Sequence, residues 1–275
     1  MKITTLLENK TTCDALRCEH GLSLYIETAK HKILFDSGAS DAFWENAKAL
    51  GIDLAQVDIA FLSHANNDHC GGLLTFLRGN RTAKVYLQKE AFGDYYVVTP
   101  TKCAFIGLDP KLHEYADRFV MAEGVTKIDE ELTLFSGIRT HELLSEANAT
   151  LREKVGGDYP RDAFRHEQDL LVTEHGKTVL FAGCAHSGII NIINRAEDIL
   201  GRAPDYVFAG FHLYNPSLGQ SEPRALVDAV GERLRARKAT RYVTGHCTGD
   251  DAYVWLREAL GDRLAYMATG TTFTI

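Results

Sequence analysis

Short apolar runs bounded by glycine and polar residues alternate along the chain with longer stretches of helical period. Residues 2–7, 23–27 and 32–35 are strand-like and suggest antiparallel neighbours, with Asp36-Ser37-Gly38 turning the chain after the third. Residues 41–50 have helical character, with Asp41 early and Gly51 as a stop. Ile59-Ala60-Phe61-Leu62 is short, continuous and apolar, which predicts a buried strand. A helix starting at Gly72 and a strand over 84–87 follow. After residue 168 the pattern predicts strands over 169–173, 178–182, 206–209, 241–244, 264–267 and 272–275. Helices are expected over 189–199, over 223–237 with Pro223 at the start, and over 252–260.

Between Phe92 and Phe164 the pattern loosens into strand-like pieces (102–106, 125–128, 132–135) separated by glycine, proline and charge. An irregular insertion or lid is therefore expected over residues 92–168, because long irregular segments in compact domains are often functional. Its aromatic residues, Phe92, Tyr95, Tyr96, Phe105, Tyr115, Tyr159 and Phe164, are expected to pack mostly among themselves, with some lining the lid.

The two halves of the chain echo each other. Ile33-Leu34-Phe35-Asp36 matches Val179-Leu180-Phe181-Ala182, and Val57-Asp58-Ile59-Ala60-Phe61 matches Pro204-Asp205-Tyr206-Val207-Phe208. Two similar sheet-plus-helix halves pack as an α/β sandwich, sheets inside and helices outside, within a single domain over 1–275. That arrangement brings the ends of equivalent strands, and their loops, to one edge.

Composition narrows the function. Of 275 residues, 45% are hydrophobic and 24% charged, which are ordinary globular values. The net charge of −7 argues against non-specific binding to nucleic acid or anionic membranes, which needs a basic surface. No run approaches the roughly 18 apolar residues needed to span a membrane. Glu8 comes early and no long apolar region follows Met1, so a signal peptide is not expected. The six cysteines form no C-x-x-C pair and read as free thiols in a reducing compartment. A cytoplasmic protein acting on a small molecule, without a nucleic-acid or membrane partner, is the expectation.

The candidate chemistry sits at strand ends. His64, Asp68 and His69 follow the buried strand within the run His64-Ala65-Asn66-Asn67-Asp68-His69-Cys70-Gly71-Gly72. Imidazole and carboxylate in such spacing suit a divalent ion such as zinc. Three later strand-like segments also end in a histidine loop, at His186, His212 and His246. Cys70, Cys184 and Cys247 each lie within two residues of these positions, and strand alternation favours small buried fillers for them. His20, His166, Glu19 and Glu167 are candidates to reach the site from loops, the two histidines to bind substrate, whereas His31, His113, His141 and His175 need no special role.

The pattern resembles the metallo-β-lactamase superfamily, whose marker is H-x-H-x-D-H after a buried strand. Glu19-His20-Gly21-Leu22-Ser23, Leu34-Phe35-Asp36-Ser37-Gly38, Gly183-Cys184-Ala185-His186-Ser187-Gly188-Ile189, Gly210-Phe211-His212-Leu213 and His246-Cys247-Thr248-Gly249 look like one branch of it. That branch is named for 7,8-dihydropterin-6-methyl-4-(β-D-ribofuranosyl)aminobenzene 5′-phosphate synthase. The resemblance implies a four-layer αββα sandwich and a metal centre of one or two zinc ions, with manganese or iron as alternatives. It implies that His64 and His186 hold one position and that Asp68, His69 and His246 hold the other. Asn66 stands where the family has a histidine ligand, so the first position is expected to be the weaker. His212 falls near the usual bridging aspartate and is either a ligand to one metal or a substrate contact.

The expected function is a metal-dependent hydrolase using a metal-bound hydroxide on a phosphorylated or ester-type small molecule. Asp68 would orient the water and His212 would assist developing negative charge. The alternatives are a dihydropterin-methyl transferase, with the aromatic-rich middle segment stacking the pterin, and a non-catalytic binding protein with a weakened metal site.

Overall fold

The computed structural model describes residues 1–275. Two seven-stranded sheets have the same internal order. The first runs Thr272–Thr274, Lys2–Leu7, Ser23–Glu27, Lys32–Phe35, Ile59–Phe61, Lys84–Gln88 and Phe119–Ala122. The second runs Val125–Lys127, Leu132–Ser136, Gln168–Glu174, Lys177–Phe181, Tyr206–Phe208, Arg241–Thr244 and Leu264–Tyr266. In each, the first four strands pair antiparallel and the last four pair parallel, so the fourth strand belongs to both arrangements. The echo between the halves is thus a repeat of the whole sheet.

Strand alternation divides the core. Ile33, Phe35, Ile59 and Phe61 face inward to meet Val179, Phe181, Phe208 and Val243 of the other sheet. Leu34, Ala60 and Val85 face outward onto a helical layer that includes Phe43, Ala47 and Phe76. Leu180, Val207 and Tyr242 do the same against Ile192, Val230 and Leu256. Both faces of each central strand are covered, which is why Ile59–Phe61 is apolar throughout rather than alternating. The layers are therefore α, β, β, α. The covering helices include Ala42–Ala49, Leu73–Gly79, Ile189–Leu200, Arg224–Ala236 and Asp250–Leu260. No helix is long and apolar enough to cross a membrane.

The segment over 92–168 is not one irregular insertion. Phe119–Ala122, Val125–Lys127 and Leu132–Ser136 belong to the two main sheets. Two excursions remain on either side of them. They meet in a three-stranded sheet of Leu151–Glu153, Tyr95–Thr99 and Lys102–Phe105, which lies over the ends of the parallel strands.

Candidate metal centre

All the chemistry-bearing loops leave the carboxyl ends of strands. His64 to Cys70 follow Ile59–Phe61, and Cys184 and His186 follow Lys177–Phe181. His212 follows Tyr206–Phe208, and His246 and Cys247 follow Arg241–Thr244. The loops approach closely because glycines permit it. A Cβ on Gly183 would lie 2.1 Å from Ser63 Oγ, and one on Gly210 would lie 2.5 Å from Cys247 Sγ. Asp36, Ala185, His212 and His246 all adopt positive φ, between 46° and 58°. Such conformations are costly for residues with a Cβ and persist where the surroundings hold them.

Buried carboxylates do much of that holding. Asp36 accepts from Ser63 N at 2.7 Å and from Ser63 Oγ at 2.7 Å. Glu167 accepts from the amides of His186 and Ser187, and Glu8 accepts from the amide of His246.

The hydrogen bonds also fix the tautomers. Ser63 Oγ donates to Asp36, so it accepts from His64 Nδ1–H at 2.9 Å. His69 donates Nδ1–H to Asp36 at 2.7 Å, His186 donates to Asn148 Oδ1 at 2.8 Å, and His246 donates to Asn9 Oδ1 at 2.9 Å. Each ring is left with an Nε2 lone pair, and these face one another. His64 Nε2 lies 3.2 Å from His186 Nε2, and His69 Nε2 lies 3.1 Å from His246 Nε2. Asp68 Oδ2 joins the second pair, 3.2 Å from His246 Nε2 and 3.7 Å from His69 Nε2.

Lone pairs facing at such distances repel unless a cation lies between them, so the donor set fits a bound metal. Orientation of the metal-binding nitrogen by an Nδ1–H bond to oxygen is the usual arrangement. Burial holds His64 and His186 well below their ordinary imidazole value, in the neutral form a metal needs. Burial alone would push the Asp68 carboxyl up, but the surrounding His69, His20 and His246 outweigh it and keep the group well down.

Above these side chains lies a cavity of about 380 Å³. Asn66 and His212 line it, and both carry buried polar atoms without a partner: Asn66 Oδ1 and both ring nitrogens of His212. His212 packs beside His186, ring centroids 4.2 Å apart. His20 closes the mouth, with Nε2 3.2 Å from Asp68 and its ring stacked on His246.

His166 is placed elsewhere. It is fully buried and does not line the cavity. Its Nδ1 accepts from Ala65 N at 3.0 Å and its Nε2–H donates to Asp162 at 3.0 Å, leaving no nitrogen to offer a substrate.

The cysteines divide. Cys70 Sγ donates to Ala65 O and is a buried filler, whereas Cys184 and Cys247 line the cavity, against the expectation from strand alternation. Both lie beyond their strands' last paired residues, where alternation no longer applies. The aromatics of the middle segment do not line the cavity. Tyr96 packs on Phe105 and Tyr159, Tyr95 on His166, and Phe164 stacks on His186.

Residues 16–98 match the model of the metallo-beta-lactamase superfamily. The chain is 27% identical over 265 residues to 7,8-dihydropterin-6-methyl-4-(beta-D-ribofuranosyl)-aminobenzene-5'-phosphate synthase of Methanocaldococcus jannaschii, covering 90% of this chain and 88% of that one. It is 29% identical over 221 residues to the uncharacterized protein MJ0448 of the same organism, covering 77% and 80%. Among solved structures it is similar to Tm1679, described as a metal-dependent hydrolase of the beta-lactamase superfamily. That likeness has a TM-score of 0.84 and 24% identity over 100% of this chain and 99% of that one. The chain therefore has the metallo-β-lactamase fold, and over residues 16–98 it carries the sequence match of the metallo-β-lactamase superfamily.

Proposed function

We propose that the protein is a metal-dependent hydrolase of a small anionic ester, with phosphate esters the class that fits best. The observation that carries this reading is the convergence of four oriented Nε2 atoms and Asp68, with His186 and Asp68 opening onto one cavity. Imidazole and carboxylate donors suit zinc, with manganese or iron as alternatives. A divalent ion held there acts as a Lewis acid and supplies a water acidified to near neutrality.

The chain's own residues do the rest. Asp68 accepts a hydrogen bond from the attacking water and orients it. His212, buried and unpartnered, donates to the oxygen on which negative charge develops. Val97, Ile106 and Leu151 give the cavity an aliphatic wall, and Lys102 is the one lysine or arginine in its lining. A compact substrate with an aliphatic or hydroxylated body and one anionic group matches that wall. The free state of all six cysteines fits work in a reducing compartment such as the cytoplasm.

A transferase reading is favoured by the 27% identity to the dihydropterin synthase. Against it, no phenylalanine, tyrosine or tryptophan lines the cavity to stack a pterin ring. A binding protein without turnover is the reading that Asn66 alone would support.

The test is turnover of aryl phosphomonoesters and phosphodiesters by the zinc-loaded protein, before and after chelation. Hydrolysis that is lost with the metal, and lowered in kcat by His212→Ala, is expected. A loaded protein that hydrolyses none of these but joins a dihydropterin-methyl diphosphate to an aminobenzene ribose phosphate would overturn the hydrolase reading. A loaded protein inert in both assays would leave the binding role.

A further inference from the structure

The thiol of Cys184 has no part in the reading above, yet it sits at the centre of the donor atoms. Cys184 is 2% exposed, and its Sγ lies 3.1 Å from His69 Nε2. It falls within 4.8 Å of the ligand atoms of Asp68, His69 and His246, and equally within 4.8 Å of those of His64 and His186. Cys184 is the one side chain common to both sets. Cys247 differs, since its thiol groups with Cys184 and His212 and with neither histidine pair. Cys70 differs again, its thiol spent on Ala65 O.

We propose that Cys184 is a metal ligand shared by two ions, its thiolate bridging the position of Asp68, His69 and His246 and the position of His64 and His186. This rests on the metal-centre reading of the same cavity. A neutral imidazole nitrogen has one lone pair and serves one ion. A thiolate sulfur has three and serves two. On binding, the thiol proton leaves to solvent, and the sulfur is not oxidised.

The sharing would offset the ligand lost at Asn66. Asp68, His69 and His246 would then hold an ion with Cys184 as a fourth donor, the number usual in structural zinc sites. His64 and His186 would hold an ion with Cys184 as a third donor, which would leave room for substrate beside the unpartnered ring of His212. A soft sulfur at the hub also favours zinc over manganese or magnesium.

Titration of the metal-free full-length protein with cobalt(II) tests the proposal. A sulfur-to-cobalt charge-transfer absorption in the near ultraviolet is expected to grow through both the first and the second equivalent. Cys184→Ser, its fold checked by circular dichroism, should abolish that absorption. It should also weaken cobalt binding by roughly 10–100-fold or more, the loss seen when even a ligand's supporting partner is removed. Cys247→Ser and Cys70→Ser should leave the absorption in place.

Growth that stops after one equivalent overturns the sharing. An absorption that survives Cys184→Ser, or a cobalt affinity unchanged by it, overturns the ligand assignment. A native protein that binds no cobalt overturns the metal centre itself, which is a different result. Should Cys184→Ser fail to fold, X-ray absorption of the unaltered protein with two zinc ions decides. One sulfur neighbour per zinc is expected, and a shell of nitrogen and oxygen alone refutes the proposal.

Discussion

At the scale of single residues, the centre depends on groups that never touch a metal. Asp36 takes Nδ1–H from His69 and, through Ser63, sets the tautomer of His64. Replacing it frees both rings to rotate and to protonate the wrong nitrogen. Asp36→Asn is expected to lower metal affinity about 10–100-fold, read by competition with a chromogenic chelator. Unchanged affinity would show that the rings hold their orientation without it. Asn66 calls for the opposite change. Its buried Oδ1 has no partner, and an imidazole there adds a nitrogen beside His64 and His186. Asn66→His is expected to raise the metal retained after dialysis, counted by elemental analysis. Two full equivalents already retained by the unaltered protein would sink the idea of unequal positions. The histidines were legible in the sequence because their side chains announce metal chemistry at strand ends. Asp36, Asn9, Asn148 and Glu8 were not, because their roles exist only through contacts. His69 and Asp36 meet across 33 residues, and His246 and Asn9 across 237.

At the scale of elements, the small sheet over the cavity sets what can enter. Lys102 starts one of its strands and Val97 lies on the neighbouring one, so one hairpin supplies both the cation and part of the aliphatic wall. Lys102 is exposed, and a screened charge contact contributes about 0.2–1 kcal/mol. Lys102→Ala is therefore expected to raise KM for an anionic ester about fivefold at most while leaving kcat nearly unchanged, as loss of uniform binding does. Steady-state kinetics on an anionic ester and a neutral one check this, and an equal loss on both would refute a charge role. This layer was the hardest to foresee. Leu151–Glu153 has no strand pattern of its own and is extended because it pairs with Tyr95–Val97. Phe119–Ala122 is an edge strand of four residues entered from a tight 3-10 stretch, so its place beside Lys84–Gln88 depends on a partner distant in sequence. The central strands and covering helices were legible because burial on both sheet faces, and on one helix face, writes itself into local periodicity.

At the scale of the whole molecule, two repeated halves must stay in register for the centre to exist, since His64 and Asp68 come from one half and His186 and His246 from the other. A clasp far from the cavity fixes that register. The turn at 28–31 of the first half meets the turn at 129–131 of the second. Thr28 Oγ1 donates to Glu131 at 2.6 Å, and Lys30 pairs with Glu130. His31, expected to have no special role, bridges Asp58 of the first half at 3.1 Å and Asp129 of the second at 2.7 Å. Burial pulls the His31 imidazole down, but the bonds to Asp129 and Asp58 outweigh it and raise its pKa above the ordinary 6.5. The folded state thus binds the proton more tightly than the unfolded one. The stabilisation is fully present below about pH 6.5 and is lost as pH rises through the folded value. Asp129 works the other way, held down chiefly by His31 against its burial, so its part is lost as pH falls through its own lowered value. His31→Gln is expected to cost roughly 0.5–1 kcal/mol near pH 6. For a chain of this size that is a fall in Tm of about 1–4 °C, measured by thermal melts of the metal-free protein. The difference from the unaltered protein should shrink towards zero as pH rises through the raised folded value, above which a neutral imidazole bridges no better than an amide. A deficit constant across that range would mean that His31 holds the halves by packing and not by charge.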